Sequence, residues 1–253
     1  MTDVPAPLLA IDDLSKSYGK LRAVEALSFS LNPGELVGFI GPNGAGKSST
    51  MKSIVGLLEA EKGSVSICGI DVRSEPVRAR AELGYVGQDL EVYQYLSAEE
   101  LLRFIAGIRG IPSEEGERRI ADLLELCELQ SARGRLIREF SGGMARKIAI
   151  AAALIGKPKL LLLDEAFVGL DPESTFRIQR RLQSEVEAGA AVLLSSHVLD
   201  MLERICSRIL VMHQGHLVAD LSRAELEERF QNPKHPDLTR LYLHLTDQAS
   251  LMD

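Results

Sequence analysis

No stretch of the chain is long and apolar enough for a membrane span. The longest uninterrupted apolar run, Ile148 to Ile155, has Lys147 and Lys157 on its flanks and stops well short of the roughly 20 residues such a helix needs. Any work at a membrane therefore requires spans from another chain. Cysteine is scarce: Cys68, Cys127 and Cys206 lie far apart with no C-x-x-C or Cys/His spacing. That excludes a disulfide scaffold and leaves reduced, packed thiols as the expectation. Basic charge is in deficit, with 29 Lys plus Arg against 36 Asp plus Glu and a formal net charge of −7. The overall positive field that carries nucleic-acid affinity is missing, so no nucleic-acid partner is expected. Met1 to Asp13 has no basic start ahead of an apolar segment and contains Pro5, Pro7, Asp12 and Asp13. It does not read as a secretory signal, and a cytoplasmic location is the expectation. Internal repeats, low-complexity segments and long linkers are absent too.

What is present is an ordinary globular composition, 45% hydrophobic and 26% charged over 253 residues. A chain of this length buries roughly three-quarters of its unfolded surface on folding. Leu27, Phe29 and Leu31 alternate with Ser28 and Ser30, and Val65 and Ile67 repeat the pattern, so the first third reads as an antiparallel sheet region. Leu36 to Ile40 is almost continuously apolar, the pattern of a strand covered on both faces, as are Leu160 to Leu163 and Ala191 to Leu194. Between them, from about Gln88 to Lys157, apolar residues recur at helical spacing: Leu101, Phe104, Ile105 and Ile108, then Ile120, Leu123, Leu124 and Cys127. The pattern predicts an α/β core (6–87 and 158–220) interrupted by a helical subdomain (88–157) and followed by a helical tail (221–253), all in one domain.

The ten residues after Ile40 carry the most chemistry. Gly41-Pro42-Asn43-Gly44-Ala45-Gly46-Lys47-Ser48 fits G-x-x-x-x-G-K-[ST] and stands between a predicted strand and a predicted helix, with Ser49 continuing into that helix. Glycines let successive backbone N–H groups turn inward around phosphate oxygens. The helix N-terminus adds partial positive charge, Lys47 reaches the β- and γ-phosphates, and Ser48 can ligate Mg²⁺. The glycine spacing is not G-x-G-x-x-G, which disfavours dinucleotide binding.

A phosphate loop specifies a nucleotide and not a task. Leu160-Leu161-Leu162-Leu163-Asp164-Glu165 narrows the choice by ending an apolar strand on two adjacent carboxylates. Burying them is costly unless a metal or a reaction uses them. Asp164 is placed to hold Mg²⁺ and Glu165 to polarise water aimed at the γ-phosphate, the plainer alternative being an acidic helix cap. Ser141-Gly142-Gly143-Met144 taken alone is an ordinary N-cap, but it opens a helix leading straight into that strand.

Together with Tyr18, Gln88, Gly169-Leu170-Asp171-Pro172 and Ser195-Ser196-His197, these motifs stand in an order that resembles the ATP-binding cassette (ABC) family over about residues 6 to 220. The fold this implies is a P-loop NTPase core with an antiparallel β subdomain and an inserted α-helical subdomain. The resemblance also implies an ATPase: two cassettes joined head to tail around two ATP molecules and Mg²⁺. Tyr18 would stack on adenine and Gln88 would sense metal and γ-phosphate. Ser141, Gly142 and Gly143 of one chain would cap the phosphate held by the other, Asp171 would couple the two sites, and His197 would hold Glu165 and the water in register. Without the ordered set, Tyr18 and Gln88 read as surface residues and His197 as structural.

Three positions depart from the family pattern: Met144 for Gln, Gly87 for Pro and Ala166 for Pro, none in a phosphate-contacting role. The Ser-Gly-Gly-Met form, Gly-Leu-Asp-Pro and the tail Leu238 to Thr246 look like the exporter branch, whose cassettes are separate from their permeases. That likeness implies transmembrane permease partners and a peripheral position on the cytoplasmic face of the cell membrane. Leu90 to Leu96 holds Tyr93 and Tyr95 ahead of a Ser97/Glu100 capping box. In the family this region receives a helix of the transmembrane subunit; packing onto the helical subdomain is the alternative. In the tail, Leu238, Leu241, Tyr242 and Leu245 fall on one helical face, expected to pack back on the core, and Ser222 with Glu225 forms a second capping box. His213, His216 and His235 have no metal-ligand spacing. A soluble cassette scaffolding cofactor or iron-sulfur assembly shares all these motifs. DNA-repair relatives would insert coiled coils or zinc modules before Ser141, and GTPases would carry Asn-Lys-x-Asp; neither occurs.

Overall fold

The computed structural model describes residues 6–90, 93–230 and 238–245. The expectations that touch Met1 to Pro5, Glu91, Val92, His235 and Thr246 to Asp253 lie outside the described residues. Strands β1 (Leu9–Tyr18) and β2 (Leu21–Leu31) form a hairpin that continues into β3 (Leu36–Ile40), and α1 (Lys47–Ile54) follows the phosphate loop. Next come β4 (Lys62–Ile67), β5 (Ile70–Asp71), α2 (Pro76–Ala81) and β6 (Leu83–Val86). The helical insertion holds α3 (Ala98–Ile108), α4 (Ser113–Leu126) and α5 (Gly142–Leu154). The chain returns through β7 (Leu160–Asp164), α6 (Pro172–Glu187), β8 (Ala191–Ser195), α7 (Leu199–Ile205), β9 (Arg208–His213) and β10 (His216–Ser222). Helices α8 (Arg223–Phe230) and α9 (Leu238–Leu245) close the described chain.

Two sheets result. One is antiparallel in the order β2-β1-β4-β5, and the other runs β10-β9-β3-β8-β7-β6. Within the second, β6, β7, β8, β3 and β9 pair in parallel. Every residue of β3, β7 and β8 is buried, as expected of strands covered on both faces. Alternation then sorts their side chains. Leu160 and Leu162 join the cluster formed with β1, β2 and α1, while Leu161 and Leu163 join the cluster formed with α3, α4 and α5. Strand β10 adds an antiparallel edge, so the core reaches Ser222, two residues past the expected boundary.

The first helix of the insertion begins where the Ser97/Glu100 pair places it, with Ser97 as the N-cap of α3. Its hydroxyl accepts from Glu100 N at 3.2 Å, and Glu100 accepts from Ser97 N at 2.8 Å, a complete capping box. Single 3₁₀ turns at Gln130–Ala132 and Ile137–Glu139 separate α4 from α5. In the tail Leu238 and Leu241 are buried in the helical-side core, with Tyr242 and Leu245 packed against it. Cys127 and Cys206 are buried, and burial pushes both thiols upward, Cys127 to about 12. Cys68 is half-buried, packs against the core cluster on the β1–β2 side and sits at φ 52° in the turn before Gly69.

Candidate nucleotide-binding site

Strands β3, β6, β7 and β8 run parallel, so their carboxyl ends share one edge of the sheet, where open α/β sheets bind ligands. The phosphate loop leaves β3 there, Gln88 follows β6, Asp164 and Glu165 end β7, and Ser195 to His197 end β8. A cleft of about 330 Å³ lies at this edge, lined by Tyr18, the loop from Asn43 to Ser49, Gln88, Asp164 and Glu165, with Leu21 and Ala23 on its rim.

Glycine is required in the loop for close approach. Gly46 has φ 107°, and a Cβ there would lie 2.1 Å from Ala23 O; at Gly41 it would lie 2.2 Å from Met212 O. Gly46 is the N-cap of α1 and offers no side-chain cap, and the first turn holds no acidic residue. The first amides of α1 are therefore left for a ligand, at the positive end of the helix. Lys47 Nζ donates to Gly41 O at 2.6 Å and Pro42 O at 3.2 Å, spanning the loop. Burial lowers its pKa, and the charges of Glu165 and Asp164 oppose that shift. Ser48 Oγ lies 3.4 Å from Gln88 Oε1.

Asp164 is 1% exposed. Its Oδ1 accepts from Ser195 Oγ, while Oδ2 is buried without a hydrogen-bond partner. Strand register explains the first contact, since Asp164 stands opposite Ser195 in the β7–β8 pair. Glu165 takes φ 51°, a left-handed conformation that costs a non-glycine residue energy and collects at functional sites. Its N–H donates to Ser195 Oγ at 3.0 Å and to Ser195 O at 3.2 Å. Its Oε2 lies 2.9 Å from His197 Nδ1, the imidazole being largely exposed. Tyr18 is 49% exposed, and Lys16 Nζ lies 5.9 Å from its ring centroid.

Ser141, Gly142, Gly143 and Asp171 are not among the residues lining this cleft. Ser141 caps α5, its Oγ accepting from Met144 N at 3.3 Å. Asp171 caps α6, accepting from Ser174 N at 2.8 Å and Ser174 Oγ at 2.7 Å. These bonds, with Lys147 3.2 Å away, hold its carboxyl below the usual range. Three polar residues have roles that the sequence reading does not assign. Ser195 bridges both acidic residues, Arg146 grips the Gln88 loop, and Lys147 pairs with Asp171 and Glu128. The Ser195-Ser196-His197 motif pointed at the first; nothing local pointed at the other two.

Residues 24–168 match the ABC transporter family model. The chain is 37% identical over 88% of its length to the linearmycin resistance ATP-binding protein LnrL of Bacillus subtilis (strain 168), covering 71% of that protein. It is 33% identical over 87% of its length to the Nod factor export ATP-binding protein I of Ralstonia nicotianae, covering 68% of it. A solved ATP-binding subunit of an ABC transporter superposes with a TM-score of 0.88 at 34% identity, over 94% of this chain and 99% of that one.

Proposed function

The chain belongs to the ABC transporter family as an ATP-hydrolysing subunit, and from that premise we propose that two copies close around two ATP molecules to drive export through separate transmembrane subunits. The observation that carries this reading is the division of the site. Tyr18, the phosphate loop, Gln88, Asp164 and Glu165 converge on one cleft, while Ser141 to Gly143 stay outside it. The cleft thus lacks the donors that would cover its open side, and a second copy turned head to tail supplies them. Asp171, beside the signature helix, then couples the two sites.

Within the closed site, the N–H groups from Asn43 to Ser49 and the Lys47 ammonium hold the ATP phosphates, and Tyr18 stacks on the base. Asp164 Oδ2, Ser48 Oγ and Gln88 Oε1 are the oxygens available to magnesium. Among the described residues no His, Cys, Asp or Glu cluster could hold a metal by itself, which fits an ion carried in by the nucleotide. Bound there, magnesium neutralises charge on the phosphate oxygens. Glu165 orients the attacking water and accepts its proton; His197 holds the Glu165 carboxylate in place.

Among the described residues no helix is long and apolar enough to cross a membrane, so the membrane contact falls to permease chains on the cytoplasmic face. Tyr93 and Tyr95 are 60% and 78% exposed, and the Tyr93 ring stacks edge-on with the half-exposed Phe104 ring at 5.7 Å between centroids. That exposure favours a docking role over core packing. The names of the resistance and export relatives favour outward transport. Glu165→Gln tests the chemistry: ATP binding persists, turnover falls at least about a hundredfold, and an ATP-bound dimer accumulates on size exclusion. Retained turnover would overturn the assignment.

A further inference from the structure

Helix α5 carries two consecutive cations that reach different neighbours. Lys147, on a nearly buried side chain, lies 3.2 Å from Asp171 Oδ2 and 3.4 Å from Glu128 Oε2. Arg146 reaches the loop after β6, where Nη1 donates to Gly87 O at 3.1 Å and Gln88 O at 3.2 Å, and Nη2 donates to Gln88 O at 3.2 Å. Its Nε is buried with no partner. Burial depresses the Arg146 pKa, opposed by Glu165, Asp164 and Asp89, and a guanidinium keeps its charge through such a shift. Desolvating a cation to hold two main-chain carbonyls costs free energy that helix packing does not require.

The loop so held is the one whose Gln88 side chain touches Ser48 of the phosphate loop. On the other side, Arg146 stands five residues from Ser141, about 7.5 Å along a rigid helix. Ser48, Gln88, Arg146 and Ser141 therefore form one connected series from the chain's own nucleotide cleft to the residues that serve a partner's. A ligand shifts a conformational equilibrium only through contacts that differ between its states. Nucleotide in the cleft does not reach the same chain's Ser141, so any effect on that residue needs a physical link.

We infer that Arg146 is a positioning residue that ties the placement of Ser141–Gly143 to occupancy of the chain's own nucleotide cleft, by gripping the main chain at Gly87 and Gln88. The inference rests on the reading that Ser141–Gly143 act on a partner's ATP. Closure then favours chains already loaded with nucleotide, and empty chains present a misplaced signature.

The test uses the full chain carrying Glu165→Gln, so that closure is read apart from turnover. Adding Arg146→Ala leaves ATP binding by dilute single chains, followed with a fluorescent ATP analogue, at the parent level. ATP-dependent dimerisation by light scattering weakens about tenfold, within the usual range of coupling between sites. Gln88→Ala breaks the same series nearer the cleft, so the double variant dimerises no worse than the weaker single variant. Parent-like dimerisation of Arg146→Ala, or losses that multiply in the double variant, would overturn the inference. Should Arg146→Ala unfold, Arg146→Met keeps the stem and drops the donors; it must show weakened dimerisation at an unchanged melting temperature, and parent-like dimerisation again overturns the link. Ser141→Arg in the same background separates the premise from the inference. If it dimerises normally, the shared-site reading itself fails; if it blocks dimerisation while Arg146→Ala does not, only the Arg146 link fails.

Discussion

One hydroxyl, that of Ser195, organises both acidic residues of the cleft. It donates to Asp164 Oδ1 and accepts the Glu165 N–H, so one side chain sets the aim of the metal-facing carboxylate and stabilises the left-handed backbone at Glu165. The arrangement leaves Asp164 Oδ2 buried and unpaired, a state that costs free energy until a cation or donor meets it. Ser195→Ala strips the last protein donor from a buried carboxylate, a loss of about 1–3 kcal/mol in net interaction. If it falls on the catalytic geometry, ATP turnover drops roughly tenfold to a hundredfold, while Ser195→Thr, which keeps the hydroxyl, retains most of it. Steady-state phosphate release on the three proteins checks this. Equal rates for wild type and Ser195→Ala would show that strand register alone positions Asp164.

At the scale of elements, the segment from Tyr93 to α3 exposes two aromatic rings beside the site-facing loop. The Ser97 capping box fixes the start of α3 and leaves Tyr93 and Tyr95 ahead of it, with Arg138 lying 5.7 Å from the Tyr95 ring centroid. Both rings are too exposed to be core, so changing both to Ser leaves melting temperature and soluble ATPase nearly unchanged, and recovery with membrane subunits is lost. An unfolded double variant would restore the packing interpretation; an unchanged complex would remove this loop from the docking surface. The same contrast separates what local sequence encodes from what it does not. Ser97/Glu100, Ser222/Glu225 and the buried runs at β3, β7 and β8 are legible because capping and strand burial depend on neighbours a few residues away. Both capping boxes form, the second through Ser222 and Glu225 hydrogen bonds. The grip of Arg146 on residues 87 and 88, and of Lys147 on Asp171, joins segments tens of residues apart through adjacent positions of one helix. An arginine or lysine at an amphipathic position reads as solvated until the fold brings a partner to it. Cys68 combines both kinds of signal: its side chain packs partly against the core, while its backbone takes a positive φ in the turn into Gly69.

For the whole molecule, each chain is read as holding two half-sites of opposite kind, a phosphate loop with its carboxylates and a signature at the head of α5. A head-to-tail pair with two-fold symmetry makes two identical composite sites, each needing one contribution from either chain. This arrangement can be separated from a self-sufficient monomer by complementation. Lys47→Ala removes the cation that reaches the phosphates and leaves its signature intact; Ser141→Arg blocks the signature and leaves its phosphate loop intact. Each variant alone is inactive, because every site in a pure population contains the defect. Mixed in equal amounts, the two chains form heterodimers in which one site combines the sound loop with the sound signature and the other carries both defects. With random pairing, at most about a quarter of the wild-type rate returns, from half the dimers each having one of two sites, and less if the disabled cleft of the Lys47→Ala chain leaves its signature displaced through the Arg146 link. Activity should peak at equal proportions and vanish toward either pure protein. A flat, inactive mixture in which light scattering still detects ATP-dependent heterodimers would mean that the sites cannot fire singly. An inactive mixture with no dimers, beside a wild-type chain that hydrolyses ATP at full rate as a monomer, would remove the shared site and the export cycle built on it.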